Sequence, residues 1–229
     1  MSSGREGFAK GVIKAVVFDL DDTIFMTEAI AFEIENEVLT RLGHEPMSRE
    51  VHRRTWGMPI DKAIQVRATG VNLDNFSRVY HEVLEEYSHQ NKLDIMSDDA
   101  VWPLEELANM GYKLLVVTSR MFIELKHILE KDHALKDHIE TFYYRDILEY
   151  HKPDPRVFDK LLVDHGLVPN EVIYVGDALS DAEAANSAGL RFICTLEGGL
   201  RTKNDFNSYK VDVFIDRFAD VVGAVKQLS

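Results

Sequence analysis

The chain is poor in cysteine, in positive charge and in long apolar runs. Its single cysteine, Cys194, leaves no intramolecular disulfide and suits a reducing compartment. Cys194 sits in Phe192-Ile193-Cys194, which reads as a buried structural thiol rather than a nucleophile. No stretch nears the ~20 apolar residues that a membrane-crossing helix needs. The opening MSSGREGFAKG lacks the apolar segment of a secretory leader. Lysine and arginine number 26 against 39 acidic residues, a net charge of −13, which argues against nucleic acid or an anionic membrane as partner. A phosphate-bearing small molecule stays compatible, because local charge can oppose the global sign. The expectation is a soluble cytoplasmic protein, a monomer or weak homodimer. With 229 residues, 45% of them hydrophobic, the chain suffices for one large domain or a core carrying a smaller one.

Four short runs are apolar throughout and β-branched: Val12–Phe18, Lys113–Val117, Val172–Val175 and Arg191–Cys194. Such runs suit parallel strands covered on both faces. Val211–Ile215 and Phe142–Tyr144 are weaker candidates. Helical patterns lie between them: Trp102–Met110 before Gly111, a helix from Asp154-Pro155 to Gly166, and Ala178–Ala188 before Gly189. The alternation predicts an α/β fold, a doubly wound parallel sheet of Rossmann-like type. From Thr27 to Met96 the alternation stops. Helices are expected at Thr27–Leu42, Ser48–Thr55, Ile60–Thr69 and Asn75–Gln90, with no strand among them. The reading is therefore a catalytic core of residues 1–25 and 97–229 with an all-α cap of residues 26–96.

Ligands of open parallel sheets bind at the carboxyl ends of the strands. After the first strand comes Asp19-x-Asp21-Asp22-Thr23. Three carboxylates this close repel, so either a solvated acidic turn or a cation must relieve them. Mg²⁺ prefers oxygen ligands and is held by one or two carboxylates plus substrate phosphate. After the second strand comes Thr118-Ser119-Arg120, where Ser119 is either a helix N-cap or part of a phosphate cradle at a helix N-terminus. In His151-Lys152-Pro153, proline forces Lys152 into an extended conformation. That lysine is either exposed or set to neutralise the aspartates and steady a phosphoryl group. Gly176-Asp177-Ala178-Leu179-Ser180-Asp181 follows the strand VIYV, with two carboxylates four apart on one face of a starting helix.

Taken in order, D-x-D-x-T, the hydroxyl after the second strand, Lys-Pro and G-D-x-x-x-D resemble the haloacid dehalogenase-like hydrolase superfamily. The tract KPDPRVFDKLL…VIYVGDALSDAEAANSAGL is similar to its phosphoglycolate phosphatase-like and β-phosphoglucomutase-like branch. The resemblance implies that Asp19 is the nucleophile, forming an aspartyl-phosphate, and Asp21 the general acid/base. It implies Mg²⁺ held by Asp19, the backbone carbonyl of Asp21 and Asp177, with Asp181 a direct ligand or a partner of one. Thr118 and Lys152 match the phosphate-binding hydroxyl and the charge-balancing lysine. Ser119, Arg120 and Gly57, in the loop Trp56-Gly57-Met58, are the expected substrate contacts, and Arg53, Arg54 and Lys62 are candidates for an anionic tail.

Glycine is common where Asp22 stands, and Asp22 reads as a bystander facing away from the metal. Asp21 argues against halide removal, which needs no proton, and Lys62 lacks the spacing of the phosphonate-cleaving members. The implied activity is hydrolysis of a small phosphate monoester. A sugar phosphomutase is the alternative, although Ala31 stands where that group has histidine, and Met58-Pro59-Ile60-Asp61 lacks its arginine. A phosphoacceptor signalling module is a further rival, disfavoured by length and by the helical insertion. Asp98–Pro103 replaces the Pro-Gly usual after the cap.

Overall fold

A computed structural model of the protein describes residues 12–229 apart from Pro59, Ile95, Ser97 and Lys131. Its strands are β1 (Ala15–Phe18), β2 (Lys113–Val117), β3 (Thr141–Tyr143), β4 (Val172–Gly176), β5 (Arg191–Thr195) and β6 (Val213–Ile215). All pair in parallel, in the order β3-β2-β1-β4-β5-β6. β1 and β4 are buried at every residue, which is why these strands read as unbroken apolar runs. Successive residues feed opposite faces. Val16, Phe18, Val116 and Val175 join one core, and Val17, Val117, Tyr174 and Cys194 the other. Cys194 is buried as expected, and burial pushes its thiol up.

Between β1 and β2 run α1 (Thr27–Arg41), α2 (Arg49–Arg54), α3 (Ile60–Arg67) and α4 (Leu73–His89). They bury a separate core of Ile34, Val38, Leu39, Ile64, Phe76, Val79 and Val83. Ser48 caps α2 by accepting from the Val51 amide at 3.3 Å, and Asn72 caps α4 by accepting from the Asn75 amide at 2.9 Å. The rest of the chain adds α5 (Asp98–Asn109), α6 (Phe122–Leu129), α7 (Asp159–His165), α8 (Leu179–Ala188) and α9 (Val221–Leu228) around the sheet. Among the described residues no helix is long and apolar enough to cross a membrane.

Several boundaries differ from the sequence reading. β1 begins at Ala15, and Val12 is exposed. The helix expected from Asp154 is a tight turn, Pro155–Phe158, before α7. α5 takes Pro103 into its second turn, where proline removes one intrahelical hydrogen bond and crowds the carbonyl four residues before it. Ser119 is no N-cap, because α6 starts only at Phe122, where Glu124 accepts from the Met121 amide. Among described non-glycine residues, positive φ occurs at Asp22 (52°), Asn91 (50°) and Asp94 (49°). All three lie in the two connections between the sheet and the inserted helices.

Candidate active site

In-register pairing of Phe18 with Val116 and with Val175 brings three strands to an end at one level. Asp19 leaves β1, Thr118 leaves β2, and Asp177 follows β4. Asp19 is fixed there by its amide, which donates to the Val175 carbonyl at 2.9 Å. Its carboxylate is buried, and Lys152 Nζ reaches Asp19 Oδ1 at 2.9 Å and Asp181 Oδ1 at 2.7 Å. Lys152 also donates to the Tyr174 hydroxyl at 3.2 Å. So Lys152 is no exposed turn residue. Burial alone would lower its ammonium, but Asp181 and Asp19 outweigh that and hold it well above its ordinary value.

Asp181 is completely buried. Its Oδ2 accepts from the amides of Asp177 (3.2 Å) and Ala178 (3.0 Å), and its Oδ1 accepts from the Tyr174 hydroxyl (3.1 Å) as well as from Lys152. A Cβ on residue 176 would lie 2.5 Å from Asp181 Oδ2. Glycine at 176 is therefore what lets this carboxylate fold back under the strand. Asp177 precedes α8 in the loop rather than sharing a helix face with Asp181. Thr23, also buried, donates to Asp177 Oδ1 at 3.4 Å.

Ligand atoms of Asp19, Asp177 and Asp181 lie within 4.8 Å of one another. Burial pushes Asp19 up to about 7, with Asp181 and Asp21 adding to the rise and Lys152 opposing it. Burial, then Asp181 and Asp19, hold Asp177 well above the carboxylate range. Three buried carboxylates against one ammonium leave an excess of negative charge. The donor set and the charge both fit a cation with oxygen preference. Because each Asp181 oxygen is already engaged, Asp19 and Asp177 are the better placed to face that cation.

Asp21 points the other way. Arg120 donates to Asp21 Oδ1 from Nε at 2.9 Å and from Nη2 at 2.6 Å. Arg120 is buried, and its far edge meets Asp94, whose carboxylate also takes His127 Nε2 at 2.7 Å. Burial opposes ionisation of Asp94, but Arg120 and His127 prevail and hold its carboxyl far below the usual range. Thr118 is buried, and its hydroxyl accepts from the Arg120 amide at 3.2 Å.

Asp22 is not a bystander. Its Oδ2 accepts from Trp56 Nε1 at 2.6 Å and its Oδ1 from the Glu28 amide at 3.2 Å, tying the loop after β1 to the inserted helices. Burial, aided by Asp21, pushes the carboxyl up to about 6. Its φ of 52° explains why glycine suits this position, while aspartate tolerates the left-handed region.

A cavity of about 540 Å³ opens between sheet and helices, lined by Asp19, Asp21, Ser119, Arg120, Lys152 and Asp177 on one side and by Gly57 of the inserted helical segment on the other. Arg53, Arg54 and Lys62 are exposed and take no part in lining it. Asp94, His127 and Tyr174 were beyond sequence reasoning. Asp94 lies in a featureless polar stretch, and Tyr174 reads as one more strand residue.

Residues 16–195 match the model of the family described as haloacid dehalogenase-like hydrolase. A glyceraldehyde 3-phosphate phosphatase of Methanopyrus kandleri is 26% identical across 95% of this chain and 99% of its own. A phosphorylated carbohydrates phosphatase of Thermotoga maritima is 29% identical across 79% of this chain and 84% of its own. The fold is shared with the crystal structure of CbbY from Rhodobacter sphaeroides in complex with phosphate, at a TM-score of 0.77 and 20% identity, covering 92% of this chain and 96% of that one. With the matched segment running from β1 through β5 and holding every strand-end carboxylate described above, the chain is an enzyme of the haloacid dehalogenase-like hydrolase family.

Proposed function

We propose that this protein is a Mg²⁺-dependent phosphatase that hydrolyses a small phosphate monoester through an aspartyl-phosphate on Asp19. The observation that carries the reading is the buried Asp19 carboxylate at the end of β1, 2.9 Å from Lys152, in a cavity it shares with Asp21. Asp19 attacks phosphorus, the bond to the leaving oxygen breaks, and Asp21 gives that oxygen a proton. Water then attacks the aspartyl-phosphate while Asp21 takes a proton from it, releasing inorganic phosphate and restoring the Asp19 carboxylate and the protonated Asp21. Arg120 occupies Oδ1 of Asp21, which leaves Oδ2 to carry the proton. Lys152 balances charge on Asp19 and on the transferring phosphoryl group, and Asp181, with Tyr174, positions that lysine. Thr118 and Ser119 supply the phosphate-side contacts. Asp19, Asp177 and the Asp21 backbone carbonyl would hold Mg²⁺, which when bound offsets the charge of the transferring group.

Relatives named for phosphatase activity on glyceraldehyde 3-phosphate and on phosphorylated carbohydrates support the reaction class. The mutase reading is disfavoured by Ala31, which lines the cavity without a group able to handle a proton. The test is phosphate release from a panel of metabolite esters with and without Mg²⁺, beside Asp19→Asn. Release that needs both Mg²⁺ and Asp19 is expected. Equal rates in the variant, or phosphate moved between sugar positions without net release, would overturn the proposal.

A further inference from the structure

The two ends of the cavity differ in chemistry. The sheet end carries the carboxylates, Lys152 and Ser119, whereas the cap end is walled by Ile30, Ile34, Trp56, Ile60, Leu84 and Leu93. Ile30 and Ile34 lie four apart on α1, so a single helix face presents both. Two charged residues interrupt this wall, Glu35 and Arg67, and they are spoken for by each other. Both side chains are 2% exposed, Arg67 Nη1 meets both Glu35 oxygens at 2.6 Å, and Arg67 Nε donates to Thr55 at 2.7 Å. The Tyr80 hydroxyl points to Glu124, 3.4 Å away. Arg120 is divided between Asp21 and Asp94. Arg145 and Arg201 also reach the cavity, but they follow β3 and β5 on the sheet side, where the phosphoryl group is transferred. The candidates for an anionic tail, Arg53, Arg54 and Lys62, lie outside.

A second carboxylate or phosphate on the substrate would thus leave water for an apolar wall with no unpaired cation among its described residues. That burial is unfavourable. A polyhydroxylated leaving group would bring several hydroxyls against side chains that offer them few partners. A hydrocarbon body loses nothing there and gains from burial. Resting on the phosphatase reading above, we infer that the leaving group is an uncharged, largely hydrocarbon alcohol: the substrate class is an alkyl or similarly apolar phosphate monoester rather than a sugar phosphate or a phosphorylated hydroxy acid. The apolar body fills the chamber of α1, α3 and α4 while the phosphoryl group sits over Asp19. This sets the chain apart from its relatives named for glyceraldehyde 3-phosphate and for carbohydrates.

The experiment compares four esters of primary alcohols with the full chain and Mg²⁺: 3-methylbutyl phosphate and cyclohexylmethyl phosphate against phosphoglycolate and glycerol 3-phosphate. The expected result is a kcat/KM at least about tenfold higher for the two alkyl esters. A charged or hydroxylated ester cleaved as well as the alkyl ones overturns the inference. No Asp19-dependent release from any ester sinks the phosphatase reading instead. Non-hydrolysable phosphonates separate the two failures, because calorimetric binding of 3-methylbutylphosphonate against phosphonoacetate reads the chamber without turnover. Tighter binding of the alkyl phosphonate supports the inference, and equal or weaker binding refutes it. Leu84→Gln, a change in the chamber wall itself, should lower kcat/KM for 3-methylbutyl phosphate more than for glycerol 3-phosphate and so narrow the alkyl preference. A preference unchanged in that variant also counts against the apolar chamber.

Discussion

Trp56→Phe isolates one atom group, the indole N–H that meets Asp22 Oδ2 at 2.6 Å. The ring wall of the cavity largely survives, while a buried carboxylate loses its shorter hydrogen bond and keeps the 3.2 Å one from the Glu28 amide. Asp22 has its carboxyl raised from 3.8 to about 6, so it holds its proton more tightly folded than unfolded. The resulting cost of ionisation grows as pH rises above 3.8 and levels off above about 6. At about pH 7 that cost is roughly 3 kcal/mol, and a carboxyl forced to stay neutral would cost about 4.5 kcal/mol. Losing the indole partner can therefore add no more than about 1.5 kcal/mol through this group at that pH, since protonation caps the loss. At about pH 8.5 the cap rises, and the full ~1.5–3 kcal/mol of a charge-assisted hydrogen bond is exposed. At about pH 5 the difference shrinks to roughly zero. Urea unfolding of both proteins in chelator, from pH 5 to 8.5, should show the gap in stability opening as pH rises. In an Asp22→Asn background the same substitution should cost equally at every pH. A gap independent of pH in the parent would refute the reasoning.

Three further outcomes follow from the site. Gly176→Ala places a Cβ 2.5 Å from Asp181 Oδ2 and should shift Asp181 and with it Lys152. We expect kcat to fall by about a hundredfold with KM little changed, measured at saturating substrate. Cation binding should release protons, because Asp19 at about 7 must ionise to act as a ligand. Asp177, also held above the carboxylate range, must ionise as well, so affinity should weaken as pH falls by up to roughly tenfold per pH unit for each of the two that is protonated, and calorimetry in buffers of different ionisation enthalpy would count the protons. Arg120→Lys keeps the charge but loses the two-point grip on Asp21 and the fork onto Asp94. Steady-state kinetics should show kcat down by roughly tenfold to a hundredfold, and an unchanged kcat would remove Arg120 from the positioning of Asp21.

The strands along the chain and the three groups just beyond their ends could be read from the sequence for one reason. A strand buried on both faces leaves an apolar run, and the chemistry sits at the break after it. Asp19, Thr118 and Asp177 are each the first residue beyond such a break. Asp94 has no such marker, because its meaning comes from Arg120, 26 residues on, and from His127 beyond it. Asp22 was misread since its partner, Trp56, belongs to a different layer of the fold. The Arg53, Arg54 and Lys62 side chains were drawn toward the site by charge alone, and helix rotation sends them to solvent. Ser119 looked like a cap because the residues that follow it could have been helical three positions sooner than they are.

The left-handed residues Asp22, Asn91 and Asp94 give the two connections a mechanical character. Each stands roughly 1 kcal/mol or more above the ordinary backbone regions, a difference that glycine would not feel. Any swing of the helical layer that returned one of them to a right-handed conformation would recover that energy. The connections therefore act as a preloaded spring, set against the Trp56–Asp22 and Arg120–Asp94 contacts that hold the two layers together. Asn91→Gly would unload part of the spring while leaving the Asp22 and Asp94 carboxylates in their contacts, and the layers would part less readily although both holding contacts stayed in place.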